Sequence, residues 1–289
     1  VFVSKKMPDV LRLVPIGAGT YSAPSEDRPQ AARDVVFGGQ ILAQMIIASA
    51  MARDFTKEVK SIHTIFARPG SLSEPLIYEV ESMQDGRTFG SDTVTCRQAG
   101  KIVARGLILL NVDEPNVISH VTVRPPDVPR PGPGVAVADA RVVPGAEAVI
   151  CGRIDSADQD AASAALAVWT RYPKGAESVL VHQAVLSWAS DGYLIGAAMA
   201  PHPEYREDMA HHTVSTGVVS HTVNFHDRFD VAEWLLLAHE GVWAGRGRAF
   251  GRGNVFAGDG RLVATFTQDS MIRAFADGSH DHIASNRRL

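Results

Sequence analysis

The chain has 289 residues, with 28 Lys and Arg against 32 Asp and Glu and a formal net charge of −4. That balance, with no long basic run, gives no electrostatic footprint for nucleic acid, and the length has room for two domains that bury cores without disulfides. Cys96 and Cys151 share no CxxC and have no His or Cys at metal-ligand spacing, so both read as ordinary buried thiols and no structural zinc is expected.

Lys5, Lys6, Asp9 and Arg12 leave residues 1–20 without the apolar core of a signal peptide, and no stretch approaches the ~18 apolar residues of a membrane span. A cytoplasmic protein is expected. After a polar, Pro-containing lead-in through Pro29, Val35-Val36-Phe37-Gly38-Gly39-Gln40 opens an apolar run to Met51. Apolar residues fall nearly all round it, which predicts a helix enclosed by its own domain. β-rich segments follow at about 60–67, 75–83, 88–98 and 101–112, with Asp85-Gly86 and Ala99-Gly100 marking turns. Pro115, Pro125, Pro126, Pro129, Pro131 and Pro133 make 115–137 a linker, because proline sustains neither a central strand nor a helix. The second unit begins near Ala138: strands at about 140–153 and 163–171, a helix over roughly 179–199, then strands at about 214–227, 233–244, 247–257 and 261–274.

The two units read alike. His63-Thr64-Ile65-Phe66 with Gly100-Lys101-Ile102-Val103-Ala104 parallels His221-Thr222-Val223-Asn224-Phe225 with Gly260-Arg261-Leu262-Val263-Ala264. The organisation is therefore a first repeat over 1–114, the linker 115–137, a second repeat over 138–276 and a polar tail 277–289. A helix apolar on most faces, followed by four antiparallel strands, is best buried by a sheet curled round it. The fold class expected is α+β, a double hot-dog. Two curled antiparallel sheets would each wrap a long helix and join edge to edge as a pseudo-dimer, which removes two exposed edges. His63 and His221 occupy equivalent repeat positions on this reading, which gives them a shared structural role.

Chemistry separates the copies. Asp191 lies on the second helix, whereas the first, with Gln40 and Gln44, has no carboxylate; one copy holds a site and the other a relic. Gln183, Ser187, Ser190 and Asp191 form one stripe on an otherwise apolar helix. A carboxylate there loses water and either finds donors or turns neutral with a raised pKa, which suits a general base and equally a structural cap. Gln268 on the last strand offers an amide to bridge a carboxylate and a water. Thr216, Val218, Ser220 and Thr222 share one strand face by the period-two rule, and three of them carry hydroxyls. Carboxylate, amide and hydroxyl together make a water-activating set.

Val36-Phe37-Gly38-Gly39-Gln40, His63-x-x-Phe66-x-Arg68-Pro69-Gly70, Asp85-Gly86-Arg87-x-Phe89, Ala189-Ser190-Asp191, Phe225-His226, Glu233-Trp234-Leu235-Leu236, Asp259-Gly260-Arg261-Leu262-Val263-Ala264 and Gln268 together resemble the type II acyl-CoA thioesterase family. The resemblance runs in order from about residue 33 to 273. It implies hydrolysis of medium- to long-chain acyl-CoA to free acid and CoA, without metal or organic cofactor, and a homo-oligomer. It also implies a site of Asp, hydroxyl and Gln in the second repeat. Asp191 and Gln268 match, while Val218 stands at the hydroxyl position and Ser220, on the same expected face, is the substitute. A thioester needs only a base for water and a donor for the oxyanion, because its leaving thiol has a pKa of roughly 8–9. Gly39 and Gln40, at a helix start, are candidates for that donor, though the glycines equally suit close packing. Arg246, Arg248 and Arg252, on one face of a strand or hairpin, are candidates for gripping the CoA phosphates or for charging a solvated edge. Hot-dog hydratases place a His five residues after their Asp, where this chain has Gly196. The remaining rival is a non-catalytic acyl-CoA-binding module of the same fold.

Overall fold

The computed structural model describes residues 7–25, 34–53, 55–132, 137–139, 142–151, 164–202, 204–205 and 214–275. The polar tail lies outside them.

Helix α1 (Gly38–Ala52) buries every residue from Gly39 to Ala50, as its all-round apolar pattern requires. Leu42, Met45 and Ile46 are wholly buried; each such side chain contributes roughly 1.5–3 kcal/mol relative to exposure. The helix ends at Arg53, whose guanidinium reaches out to β5 and lies on Asp92 at 2.5 Å. Strands β3 (Glu58–Phe66), β4 (Leu76–Asp85), β5 (Phe89–Gln98) and β6 (Lys101–Asn111) follow at the expected places. Ala99 (φ 47°) and Gly100 (φ 75°) turn β5 into β6. The lead-in is not structureless: β1 (Val14–Gly17) and β2 (Thr20–Ala23) form a hairpin through Gly19 (φ 63°) and add to the edge of β4.

In the second repeat, β7 (Ala138–Asp139), β8 (Glu147–Cys151) and β9 (Ala165–Arg171) lead to α2 (Val179–Ser190). Ser178 caps α2 by accepting the Val181 N–H at 3.3 Å. The helix expected over 179–199 is two: α3 (Leu194–Met199) starts after a break at Asp191–Tyr193, where Tyr193 takes φ 70°. Strands β10 (Val214–Phe225), β11 (Leu235–Gly245), β12 (Arg248–Phe256) and β13 (Leu262–Ala274) complete the unit. The 13 strands of the described residues form one sheet in the order β1-β2-β4-β5-β6-β3-β10-β13-β12-β11-β9-β8-β7, and β3 against β10 is the edge-to-edge junction between halves. Helix α1 packs on strands of its own half, and α2 lies against α1, β3 and β10. Among the described residues, a large core cluster spans both repeats.

Two sequence expectations fail at β10. A bulge between Val218 and Ser220 breaks the period-two alternation. Before it, Val214 and Thr216 are buried; after it, His221, Val223 and Phe225 are. Ser220 and Thr222 therefore lie on the face opposite Thr216 and Val218. Nor are His63 and His221 equivalent. Phe66 pairs with Ala104 and Phe225 with Ala264, and counting from those anchors places Ile62 where the other copy has His221. His63 faces outward and touches Thr222 Oγ1 at 2.6 Å, whereas His221 is fully buried. Cys96 is buried and its thiol is pushed up to about 12 by desolvation, but Cys151 is only half-buried.

Candidate active site

Asp191 is the residue at which α2 stops. Gly192 allows the chain to leave, since a Cβ there would meet Val142 Cγ2 at 2.6 Å, and Tyr193 turns it in the left-handed region. The N-terminus of α1 closes on the same point. A Cβ at Gly38 would sit 2.7 Å from Asp191 Oδ2, and one at Gly39 would sit 2.4 Å from the Trp188 carbonyl oxygen. Two adjacent glycines therefore let a positive helix end approach a carboxyl whose side chain is 1% exposed. Burial raises the Asp191 pKa to about 8, and the Gly39 N–H directed at the carboxyl pulls in the opposite direction. Neither carboxyl oxygen completes a hydrogen bond of ordinary geometry among the described residues, so the desolvation is only weakly offset. Asp191 is thus largely protonated at neutral pH and titrates just above it.

Beside it runs a buried polar chain. His221 Nδ1 lies 3.6 Å from Asp191 Oδ1 and 3.1 Å from Gln268 Oε1, while its Nε2 lies 2.9 Å from Ser190 Oγ. Ser190 Oγ also reaches the Ser187 carbonyl at 2.9 Å. Gln268 Nε2 donates to Ser270 Oγ at 2.9 Å. Burial pulls His221 down to about 4, so its ring is neutral and its approach to Asp191 joins two neutral groups, not an ion pair. The ring stacks on Phe266 (5.9 Å, 23°), and His239, also pulled down to about 4 by burial, meets that phenyl edge-on at 5.3 Å. Gly253 makes room for the phenyl, because a Cβ there would fall 2.1 Å from it. An apolar pocket walled by Val142, Val168, Leu237 and Tyr193 opens beside Ala189 on the same end of α2.

Of the residues named from sequence, Asp191 and Gln268 converge through His221. Ser220 does not join them: it pairs with Asp269 and with the exposed Ile65 on the outer face, because the bulge turns it away. Val218 faces inward opposite Ser270. Gln40 donates its N–H to the Phe37 carbonyl and points its amide at the Pro24 carbonyl, so of the oxyanion candidates only Gly39 has its N–H turned toward Asp191. Arg246 lies in the β11–β12 turn at φ 51° and not on a strand face with the others; Arg248 pairs with Asp269 and Arg252 with Glu240. Sequence reasoning missed His221 and Ser270 as members of the polar chain. Ser270 was available from period two counted from Gln268; His221 required knowledge of the bulge.

This architecture is the hot-dog thioesterase fold. A protein described as having a hot dog fold, from Alicyclobacillus acidocaldarius, superposes with a TM-score of 0.75 over 93% of this chain and 98% of its own at 20% identity. The acyl-CoA thioesterase II TesB2 of Mycobacterium marinum superposes with a TM-score of 0.76 over 93% and 97% at 26% identity. In sequence, acyl-CoA thioesterase 2 of Haemophilus influenzae is 26% identical over 259 residues, covering 82% of this chain and 87% of that protein. Acyl-coenzyme A thioesterase 8 of Mus musculus is 26% identical over 290 residues, covering 91% and 88%. Residues 26–110 match the acyl-CoA thioesterase N-terminal domain and residues 120–272 the C-terminal domain. The chain belongs to the type II acyl-CoA thioesterase family.

Proposed function

We propose that this chain hydrolyses fatty acyl-CoA thioesters to free fatty acid and CoA, with Asp191 activating water in the second repeat. The observation that carries the assignment is a buried carboxyl without a structural donor set among the described residues, linked to Gln268 through His221 and set against the start of α1. Its carboxylate form takes a proton from water as the water oxygen bonds to the thioester carbonyl carbon. Negative charge moves to the carbonyl oxygen, and the Gly38-Gly39 end of α1 supplies the nearest positive field for it. The C–S bond then breaks, the carbonyl reforms, and the departing thiolate takes the proton from Asp191. Acid and CoA–SH leave, and the base is restored. We assign the two repeats to 1–114 and 138–276, each a sheet curled on its own helix, with one site per chain and no metal or organic cofactor. Further assembly into a homo-oligomer and a cytoplasmic setting belong to the same reading.

Asp191→Asn keeps the shape and removes the proton acceptor. Thiol release from palmitoyl-CoA is expected to fall by ~10²-fold or more while the far-UV circular dichroism is unchanged. A folded, fully active variant would overturn the assignment. Val218, apolar where the family resemblance implies a hydroxyl, favours one other reading, an acyl-CoA-binding module without turnover. Saturable binding with no thiol release by the parent chain would select it.

A further inference from the structure

Ser220 faces away from the site, which leaves the inner face in need of another hydroxyl donor; the register shows where one is. Val218 on β10 lies directly opposite Ser270 on β13, and the bulge after Val218 lets both Val218 and His221 face inward across Ser270 and Gln268. Ser270 is 3% exposed and accepts the Gln268 Nε2–H at 2.9 Å. Its own proton has no acceptor among the described residues. A buried hydroxyl whose proton is uncommitted is costly unless something in the cavity receives it.

The first repeat is the internal control. With Phe66 aligned on Phe225, its β3 bulge falls after Val59 as that of β10 falls after Val218, and Val59 pairs with Leu110 as Val218 pairs with Ser270. Valine is thus common to both copies. The change from a leucine to a serine across from it accompanies Asp191 and Gln268 in the copy that holds the carboxyl.

We propose that Ser270 is the third hydrogen-bonding group of the hydrolytic site, donating its proton to the water that Asp191 deprotonates while Gln268 holds the serine oxygen. The proposal rests on the hydrolytic reading above. The serine forms no covalent bond to substrate; it fixes the water oxygen so that the remaining lone pair points at the carbonyl carbon.

The test compares steady-state thiol release by Ser270→Ala, Ser220→Ala, Asp191→Asn and the double variant Ser270→Ala/Val218→Thr. Ser270→Ala should lower kcat by ~10-fold with KM within about twofold, the effect of one lost hydrogen bond of ~1.4 kcal/mol in the transition state. Ser220→Ala should be neutral. Because positions 218 and 270 face each other, Val218→Thr should return much of the lost kcat in the Ser270→Ala background, a rescue that a merely structural serine would not allow. Parental kcat in Ser270→Ala, or a double variant no better than the single one, overturns the proposal. If Ser270→Ala fails to fold, Ser270→Cys, nearly isosteric with a weaker donor, carries the same outcomes. Loss in Asp191→Asn with parental rate in Ser270→Ala removes this inference alone; parental rate in Asp191→Asn removes the hydrolytic reading itself.

Discussion

Among the described residues, one carboxyl is buried in each half of this molecule, and their surroundings are opposite. Asp92, 1% exposed on β5 of the first repeat, accepts from Ser49 Oγ at 2.5 Å and from Arg53 Nε at 2.9 and 3.0 Å, with Arg53 Nη2 at 2.5 Å. Asp191, equally enclosed, completes no ordinary hydrogen bond among the described residues: the Gly39 N–H is directed at it and His221 Nδ1 lies 3.6 Å away. The same contrast runs through the paired strands. Where the first repeat sets Ile62 against Ile108, the second sets His221 against Gln268 on a matching backbone. The first helix does carry polar groups, but they hold structure together: Gln44 Nε2 donates to the Val10 and Pro24 carbonyls, and Tyr78 donates to Gln44 Oε1 at 2.6 Å. A saturated carboxyl stabilises a fold, and an unsaturated one stores free energy that chemistry can use.

That contrast is broken or upheld first by substituting each carboxyl. Asp92→Asn removes the buried counter-charge of Arg53 and leaves it the exposed Asp85 at 2.6 Å, so a loss of up to ~3 kcal/mol is expected in urea unfolding. Asp191→Asn should go the other way. Its folded pKa, about 8, lies above the unfolded value near 3.8, so the native state holds the proton that the unfolded chain releases. Stability from this group is complete below pH 3.8 and declines as pH climbs toward 8. Removing the carboxyl removes the decline, and at pH 8 the Asn variant should be more stable by on the order of a few kcal/mol while remaining inactive. Equal destabilisation by both substitutions would show Asp191 to be a structural residue like Asp92.

The same pKa sharpens the contrast kinetically. Only the ionised Asp191 accepts a proton, so kcat/KM should rise about tenfold per pH unit below pH ~7 and level off above about 8. A flat profile between pH 6 and 9 would assign the base elsewhere. On the acid side, His221 and His239 are both held near 4 by burial, below their unfolded value of 6.5. Their contribution is complete above pH 6.5 and is lost as pH falls through 4, so the thermal midpoint should drop across that window, and His239→Phe should reduce the drop.

How much of this was written in the sequence depends on what carried each signal. Turns were legible because Asp85-Gly86 and Ala99-Gly100 are chemically marked, and the edges of α1 followed from its apolar run. Asp191 and Gln268 were legible as polar residues inside apolar patterns. The β10 bulge was not, since Val219 is an ordinary strand residue and its displacement exists only in the pairing with β13. Everything downstream of it, including the direction of Ser220 and the burial of His221, inherited that one-residue shift. The β1–β2 hairpin was hidden because Pro15 argues against a strand except at an edge, which is where β1 lies. The break after Asp191 was half-marked by Gly192; the positive φ of Tyr193 had no sequence mark.

The smallest effects are expected at the three arginines, and they test whether the second half also binds the charged end of its substrate. Arg252 is opposite Glu240 in register and contacts it at 2.7 Å, and Arg248 contacts Asp269 at 3.3 Å while lying over the Trp243 ring. Exposed pairs of this kind are worth ~1 kcal/mol or less, and each already gives its guanidinium a carboxylate partner. Arg248→Ala and Arg252→Ala should therefore leave kcat/KM within about twofold. Arg246, exposed in the turn and without an ion pair among the described residues, has its guanidinium free for a phosphate. Arg246→Ala should raise KM for acyl-CoA by a few-fold at low ionic strength, and the difference should vanish near 0.5 M salt, where screening acts within about 4 Å. Larger KM effects from Arg248 or Arg252 than from Arg246 would mean that these pairs open on binding and exchange a carboxylate for a phosphate. No effect from any of the three would leave the hairpin as a charged edge and place the CoA phosphates elsewhere on the sheet.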